Sequence, residues 1–306
     1  MGLFFKDYES AGVGISKHAP KKTGIALFFD ILGRKFWKLM GMNLLYVLFF
    51  IPLILILPVI TIVENYAAAM TLIVILLLAF AVLIGPATAA MMKIMRSFVI
   101  DKHTFIMRDF FRAFRLNFKK ASIIGFIDCL IVLSVYASLN VYPALVVQLH
   151  SKLMYVPMII TMSIFLVTII MNYYIYLMLI ATNLSLKNLI KNSFALAFVA
   201  MKENLLTFVI SLILIVGMIL LFLFALPIFL VLILFFPAAF ICFVTCFNCY
   251  PVIQKYVINP YYTSIGQVNP ELVDDTDDGE EPVFEDMGGK EKPIEKRKKG
   301  KGKRIS

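Results

Sequence analysis

Long apolar stretches divide the chain, and each is bounded by polar or charged residues. They cover residues 39–63, 70–92, 121–147, 154–182 and 205–250. A bilayer core about 30 Å thick needs about 20 apolar residues per helix. The last stretch contains no Asp, Glu, Lys, Arg or His and is too long for one crossing. Because proline suits the first turn of a helix, Ala225-Leu226-Pro227 is predicted to be the turn between two crossings.

The pattern therefore predicts six transmembrane helices within a membrane domain of residues 25–260. Residues 1–24 are predicted to be a cytoplasmic tail. Residues 261–306 contain the acidic run DDTDDGEE and the basic run KRKKGKGKR with few apolar residues, so they are predicted to be a disordered charged tail. The predicted spans are 39–63, 70–92, 121–147, 154–182, 205–225 and 227–249.

Composition agrees with lipid as the main solvent of the chain. Of its 306 residues, 61% are apolar and only 16% are charged. Soluble domains are nearer half apolar and one quarter charged, and they could not hide this much apolar surface. The fold class predicted is an all-α membrane protein.

The positions of the cationic residues predict how the chain is threaded. Formal net charge is +10, and Lys and Arg cluster before the first span, between the second and third, and between the fourth and fifth. The alternate connections carry little charge: Glu64 in one, His150 and Lys152 in another. By the positive-inside rule, both termini are expected in the cytoplasm of a multi-pass plasma-membrane protein.

The segment RDFFRAFRLNFKK, residues 108–120, combines arginines with phenylalanines. Such a composition can bind nucleic acid, but it also suits a helix at a membrane surface. Flanking apolar stretches favour the membrane interpretation, with cations at anionic head groups and rings among acyl chains. Docking on a partner subunit is the alternative. The predicted lipid or partner contacts are Arg108, Arg112, Arg115, Lys119, Phe111, Phe114 and Phe118.

Two further segments, 26–45 and 191–210, also mix aromatic and cationic residues before an apolar stretch. The pattern predicts short interfacial amphipathic helices before transmembrane helices 1, 3 and 5.

Two groups inside the predicted spans are candidates for function. Gly85 and Pro86 predict a kink with close helix packing, or a broken helix lining a substrate site, and Thr88 is expected to satisfy a freed carbonyl. Asp128 is an acid well inside an apolar stretch. It is expected either to form an ion pair with Lys93 or Arg96 or to serve as a proton or substrate site.

No catalytic, cofactor-binding or metal-binding residues are predicted. The three histidines are scattered, and no phosphate loop or paired-carboxylate motif occurs. Cys242, Cys246 and Cys249 have the spacing of an iron–sulfur signature, but they lie in a predicted membrane helix without any strand–helix alternation. They are predicted to be packing residues.

The run GPATAAMMKIMRSFVIDKHTFIMRDFFRAFRLNFKKASIIGF, residues 85–126, resembles the YesL-like family of bacterial integral membrane proteins. That family is a domain of unknown function, and its members are often encoded near sugar-uptake transporters. The resemblance implies a non-enzymatic accessory or regulatory role in carbohydrate uptake, with a sugar transporter or other membrane protein as partner. A small-solute transporter or channel is the alternative, based on Pro86 and Asp128.

Overall fold

The computed structural model describes residues 22–271, and these are almost entirely helical with no strand among them. The predicted all-α class is confirmed. The predictions for residues 1–21 and 272–306, which include most of both tails, lie outside the described residues.

Eleven α-helices occur in the described part of the chain. A 3-10 turn at Leu48–Phe50 joins the first two, another at Lys152–Met154 precedes the sixth, and a π-helical turn at Gln254–Ile258 precedes the last. The helices are α1 Gly24–Val47, α2 Ile51–Ile54, α3 Ile56–Ile62, α4 Tyr66–Val99, α5 Ile106–Leu149, α6 Tyr155–Ala181, α7 Leu186–Val199, α8 Met201–Phe224, α9 Leu226–Phe235, α10 Pro237–Ile253 and α11 Asn259–Ser264.

Six helical segments within residues 22–271 are long and apolar enough to cross a membrane, which is the architecture of a multi-pass membrane protein. A shorter apolar helix, α9, lies between the fifth and the sixth. The segments are Gly24–Ile62, Tyr66–Val99, Ile106–Leu149, Lys152–Ala181, Met201–Phe224 and Pro237–Ser264.

The amphipathic segments differ in how they join the spans. Residues 26–45 lie within α1, and residues 108–120 are the first turns of α5. No Gly or Pro interrupts 106–124, so the helical hydrogen bonding runs directly into the span. Before α8, by contrast, the amphipathic segment is largely a separate helix, α7.

The densest packing lies at one end of the bundle, called here the basic end. At this end Arg34 of α1 bonds Asp101 in the α4–α5 connection, and Lys120 of α5 donates to the carbonyl of Leu184 after α6. Large side chains of α4, α6 and α10 are fully buried here, among them Met95, Phe98, Leu177 and Tyr250. Towards the other end, apolar side chains of the spans are mostly exposed, as expected of surfaces that face lipid.

The last predicted span is interrupted in the structure. At Phe236 the backbone leaves the helical region, which separates α9 from α10. Pro237, which has no N–H, begins the second piece. The sequence predicts one helix over 227–249, and the structure corrects this to two helices that meet at Phe236.

Candidate functional site

Gly85 lies where α4 and α5 touch backbone to backbone. A β-carbon at Gly85 would stand 2.0 Å from the carbonyl oxygen of Ala121, and one at Gly125 would stand 2.7 Å from the Cα atom of Gly85. Such separations leave no room for a side chain at either position. The close approach predicted from the small residues around Pro86 is confirmed.

Pro86 leaves the carbonyl of Val82 without its helical donor. Ser122 of α5 supplies one, with its Oγ atom 2.9 Å from the Val82 oxygen. Sequence reasoning assigned a freed carbonyl to Thr88, but Thr88 donates to Ile84 (2.8 Å) and pairs with the hydroxyl of Tyr46 (2.9 Å). The helix α4 continues through Pro86 because the neighbouring helix satisfies the exposed acceptor.

Asp128 faces α6. Its carboxylate accepts hydrogen bonds from Asn172 Nδ2 and from the Tyr176 hydroxyl, each at 2.8 Å. Nothing in the sequence pairs Asn172 or Tyr176 with Asp128.

The ion pair predicted as one alternative for Asp128 does not form with Lys93 or Arg96 within the described residues. The helices α4 and α5 are antiparallel, so Arg96 and Asp128 lie on opposite sides of the Gly85–Gly125 contact. At 1.5 Å per residue this separates them by about 20 Å along the helix axes. Asp128 is therefore a half-buried carboxylate held by two neutral donors.

The Asn172 amide that donates to Asp128 has a second polar atom, its oxygen. The Asn172 Oδ1 atom is buried and has no hydrogen-bond partner. A carboxylate with an unpaired amide oxygen beside it can accept a proton or a small cation.

The side chain of Asn43, on α1, forms hydrogen bonds with the backbone groups at the interruption between α9 and α10. Asn43 Nδ2 donates to the carbonyls of Ile233 (3.0 Å) and Leu234 (2.8 Å), and its Oδ1 accepts from the backbone N–H of Ala239 (2.9 Å). Asn43 is fully buried. Sequence reasoning missed it, because a single Asn at the start of an apolar stretch gives no sign that its partners lie about 190 residues later.

The stripe of Arg108, Arg112, Arg115 and Lys119 is exposed along α5. Arg108 is 3.6 Å from Asp109, and its guanidinium lies 4.8 Å from the centre of the Phe105 ring. A shallow groove of about 590 Å³ runs along this face. Its lining residues are Met107, Arg108, Phe111, Arg112, Arg115 and Leu116.

The predicted phenylalanine contacts are divided between two environments. Phe111 is exposed in the groove. The Phe114 ring stacks on Phe49 of the first span with centroids 5.2 Å apart, and Phe118 lies 5.6 Å from Phe114. Phe114 and Phe118 therefore lie on the side of α5 that packs against the rest of the protein.

The three cysteines of α10 are buried and form no disulfide with any described residue. The Cys246 sulfur contacts Met92 of α4, 3.7 Å from its carbonyl oxygen and 3.6 Å from its sulfur. Cys249 lies 3.8 Å from the Thr207 hydroxyl. Across residues 22–271 no group of three His, Cys, Asp or Glu is arranged to hold a metal ion.

Comparison with known families supports part of the resemblance. Residues 39–139 match a family described as "Protein of unknown function, DUF624". The match covers the Gly85–Gly125 contact, the cationic stripe and Asp128, and it ends before α6. No curated protein and no solved structure matches the chain. The matched family assigns no activity.

Proposed function

We propose that the protein is a non-enzymatic accessory or regulatory component of the plasma membrane, associated with carbohydrate uptake. The observation that supports the proposal is the exposed cationic stripe of α5 with its shallow groove, a surface that a membrane or a partner protein can reach. The association with carbohydrate uptake rests on the resemblance of residues 85–126 to a family encoded near sugar transporters.

The basic end is proposed to face the cytoplasm, with both termini on that side. Support comes from the positive-inside rule, since residues 93–120 carry eight Lys and Arg and α7 carries two more, Lys187 and Lys191. Reporter fusions at the C-terminus and at residue 151 test this orientation. An enzyme reporter active only in the cytoplasm is expected to work at the C-terminus and to fail at residue 151; the reverse result would contradict the proposal.

The stripe is proposed to bind anionic lipid head groups. Arg112, Arg115 and Lys119 make no ion pair with any described residue, so their charges remain available. Exposed Phe111 lies among them with an apolar surface for acyl chains. Each cation near an anionic membrane surface contributes about 1 kcal/mol.

Thermal unfolding in nanodiscs tests the lipid contact. The wild-type protein is expected to unfold at a higher temperature in phosphatidylglycerol than in phosphatidylcholine. The double variant Arg112→Gln/Arg115→Gln should lose most of this difference. The matched control, Lys187→Gln/Lys191→Gln, removes two exposed cations of α7 and should keep it. Equal losses in both variants would show only a general charge effect and contradict the proposal.

The accessory role predicts a stable association with a carbohydrate transporter. Purification from native membranes in mild detergent should recover a sugar-transporter subunit with this protein. The same tag on an unrelated multi-pass protein should recover none. Recovery of no transporter would count against the proposed role.

A small-solute transporter is the second candidate, favoured by the hydrogen-bonded Asp128 and the interrupted last span. Proton entry into proteoliposomes, followed with an entrapped pH-sensitive dye, tests it. Asp128→Asn is expected to abolish the flux and Pro86→Ala to alter it, whereas Asn140→Ala on the exposed face of α5 should leave it unchanged. Equal flux in all variants would show that neither Asp128 nor Pro86 takes part in transport.

A further inference from the structure

Arg96 is a buried cation in the last turn of α4. Only 9% of the residue is exposed, and its guanidinium lies 4.7 Å from the centre of the Tyr250 ring. A buried charge of this kind is costly unless it is paired and hydrogen-bonded. The partner of Arg96 therefore decides what this part of the basic end can do.

That partner is Glu271. One carboxylate oxygen accepts from Arg96 Nη2, and the other accepts from the Tyr250 hydroxyl and from Gln254 Nε2, the last at 3.2 Å. Tyr250 and Gln254 are four residues apart, so they share one face of the last helical segment. Three donors from two packed elements thus converge on both oxygens of one carboxylate.

Glu271 reaches the donors through a folded strap, residues 265–271, that follows α11. The strap turns at Gly266, whose φ is +68°. Asn269 fixes its end, since its Nδ2 donates to Asn259 Oδ1 (2.9 Å) and its Oδ1 accepts from the Glu271 backbone N–H (3.0 Å). The donors belong to helical elements, whereas the carboxylate arrives on a short non-helical segment.

The cluster has more binding capacity than Glu271 uses. Arg96 Nε is buried and has no hydrogen-bond partner, so the guanidinium retains a donor. Lys93, one turn earlier on α4, adds positive charge that acts on both Arg96 and Glu271. We propose that Arg96, Tyr250 and Gln254 form a carboxylate-binding site, that Glu271 is its tethered ligand, and that a free carboxylate takes its place when the strap is displaced.

The donor set indicates a carboxylate rather than a phosphate. One guanidinium contributes a single positive charge directly, and the phenol and the amide are neutral donors. Two hydrogen-bonded oxygens in a plane match the carboxylate that is already there. A doubly charged phosphate would bury an additional negative charge with no directly bound cation to match it.

Acetate binding to the full-length protein in detergent tests the proposal, with the unfolding temperature followed against acetate concentration. Sodium chloride at equal ionic strength is the control. In the wild-type protein Glu271 competes, so the response should be weak. If Glu271 fills the site nine-tenths of the time, Glu271→Ala should lower the apparent Kd for acetate about tenfold. Adding Tyr250→Phe, which keeps the ring and removes the hydroxyl, should reverse most of this gain.

Glu271→Gln provides a second measurement that does not depend on the alanine variant folding. It keeps the shape of the side chain without its charge, and it should bind acetate more tightly than wild type. A response to acetate no greater than wild type in folded Glu271→Ala or Glu271→Gln would overturn the proposal and leave a structural ion pair. A larger response to inorganic phosphate than to acetate would overturn the choice of carboxylate.

Discussion

A β-carbon on Gly85 would lie 2.0 Å from the carbonyl oxygen of Ala121, so α4 and α5 meet through their backbones. The same contact includes Gly125 from the other side. Close backbone approach lets dispersion and interhelical hydrogen bonds hold helices together where no hydrophobic driving force acts between them. This contact sets the register of the α4–α5 hairpin, and with it the positions of Ser122 and Asp128.

Alanine at Gly85 or Gly125 is therefore expected to destabilise the protein. Forcing a methyl group into a packed interface costs typically 1–3 kcal/mol, and here the opposing atoms are backbone and cannot rotate away. Thermal unfolding in detergent should show a clear decrease for Gly85→Ala. Gly217→Ala is the matched control, since a β-carbon there meets nothing within 4 Å. Equal behaviour of the two variants would contradict the contact.

The Ser122 hydroxyl is expected to matter only because residue 86 is proline. Ser122→Ala leaves the Val82 carbonyl without a donor at an exposed position of a membrane span, where an unsatisfied backbone group is costly because no water replaces the lost bond. Pro86→Ala restores a backbone N–H that can donate to the same carbonyl. A double-mutant cycle should therefore show a smaller cost for Ser122→Ala in the Pro86→Ala background. Additive costs would mean that Ser122 acts in another way; Ser134→Ala, an exposed hydroxyl of α5, is the control.

Asp101 joins the α4–α5 connection to Arg34 and Lys35 in the middle of α1, and this link should depend on pH. Burial raises the pKa of the Asp101 carboxyl, but hydrogen bonds from Arg34 (3.0 Å) and Lys35 (3.1 Å) outweigh it and hold the pKa below its usual 3.8. A lowered pKa in the folded state stabilises the fold above pH 3.8, and this contribution is lost as pH falls through the folded pKa.

The measurement is the unfolding temperature of wild type and Asp101→Asn between neutral and acid pH. Asn also tolerates the positive φ of 51° at this position, so the variant removes the charge and keeps the backbone. Because the pair is half exposed, the difference at neutral pH should be less than about 1 kcal/mol. It should vanish at acid pH and at high salt. A difference that persists at acid pH would contradict the ionic origin.

The spans were predictable from the sequence because lipid imposes a simple requirement of about 20 apolar residues per crossing. The hydrogen-bond and ion-pair partners of the buried polar groups could not be predicted in this way. A buried arginine such as Arg96 predicts an acidic partner. Asp128 is the nearer candidate in the sequence, but it lies about 20 Å from Arg96 along the helix axes. The observed partner, Glu271, lies in a segment that composition alone assigns to a charged tail. Likewise Pro86 and Pro237 both occur in apolar stretches, but α4 continues through one and the last span breaks at the other. The difference lies in the neighbouring side chains, Ser122 and Asn43, which no local pattern reveals.

Asn43 should be the most sensitive polar position of the first span. Replacing it with alanine removes the partners of two carbonyls and one N–H at the interruption between α9 and α10. Each orphaned buried group costs about 1–3 kcal/mol, so Asn43→Ala is expected to cost several kcal/mol in total. Asn140→Ala is the control, because Asn140 bonds only the carbonyl of its own preceding turn on an exposed face.

Part of the cost should be recoverable at Pro237. Pro237→Ala supplies an N–H that can donate to the Ile233 carbonyl and allow α9 and α10 to join. Thermal unfolding of the double variant Asn43→Ala/Pro237→Ala should therefore show a higher midpoint than Asn43→Ala alone. If Pro237→Ala gives no recovery, Asn43 would stabilise the fold through packing rather than by satisfying the interrupted backbone.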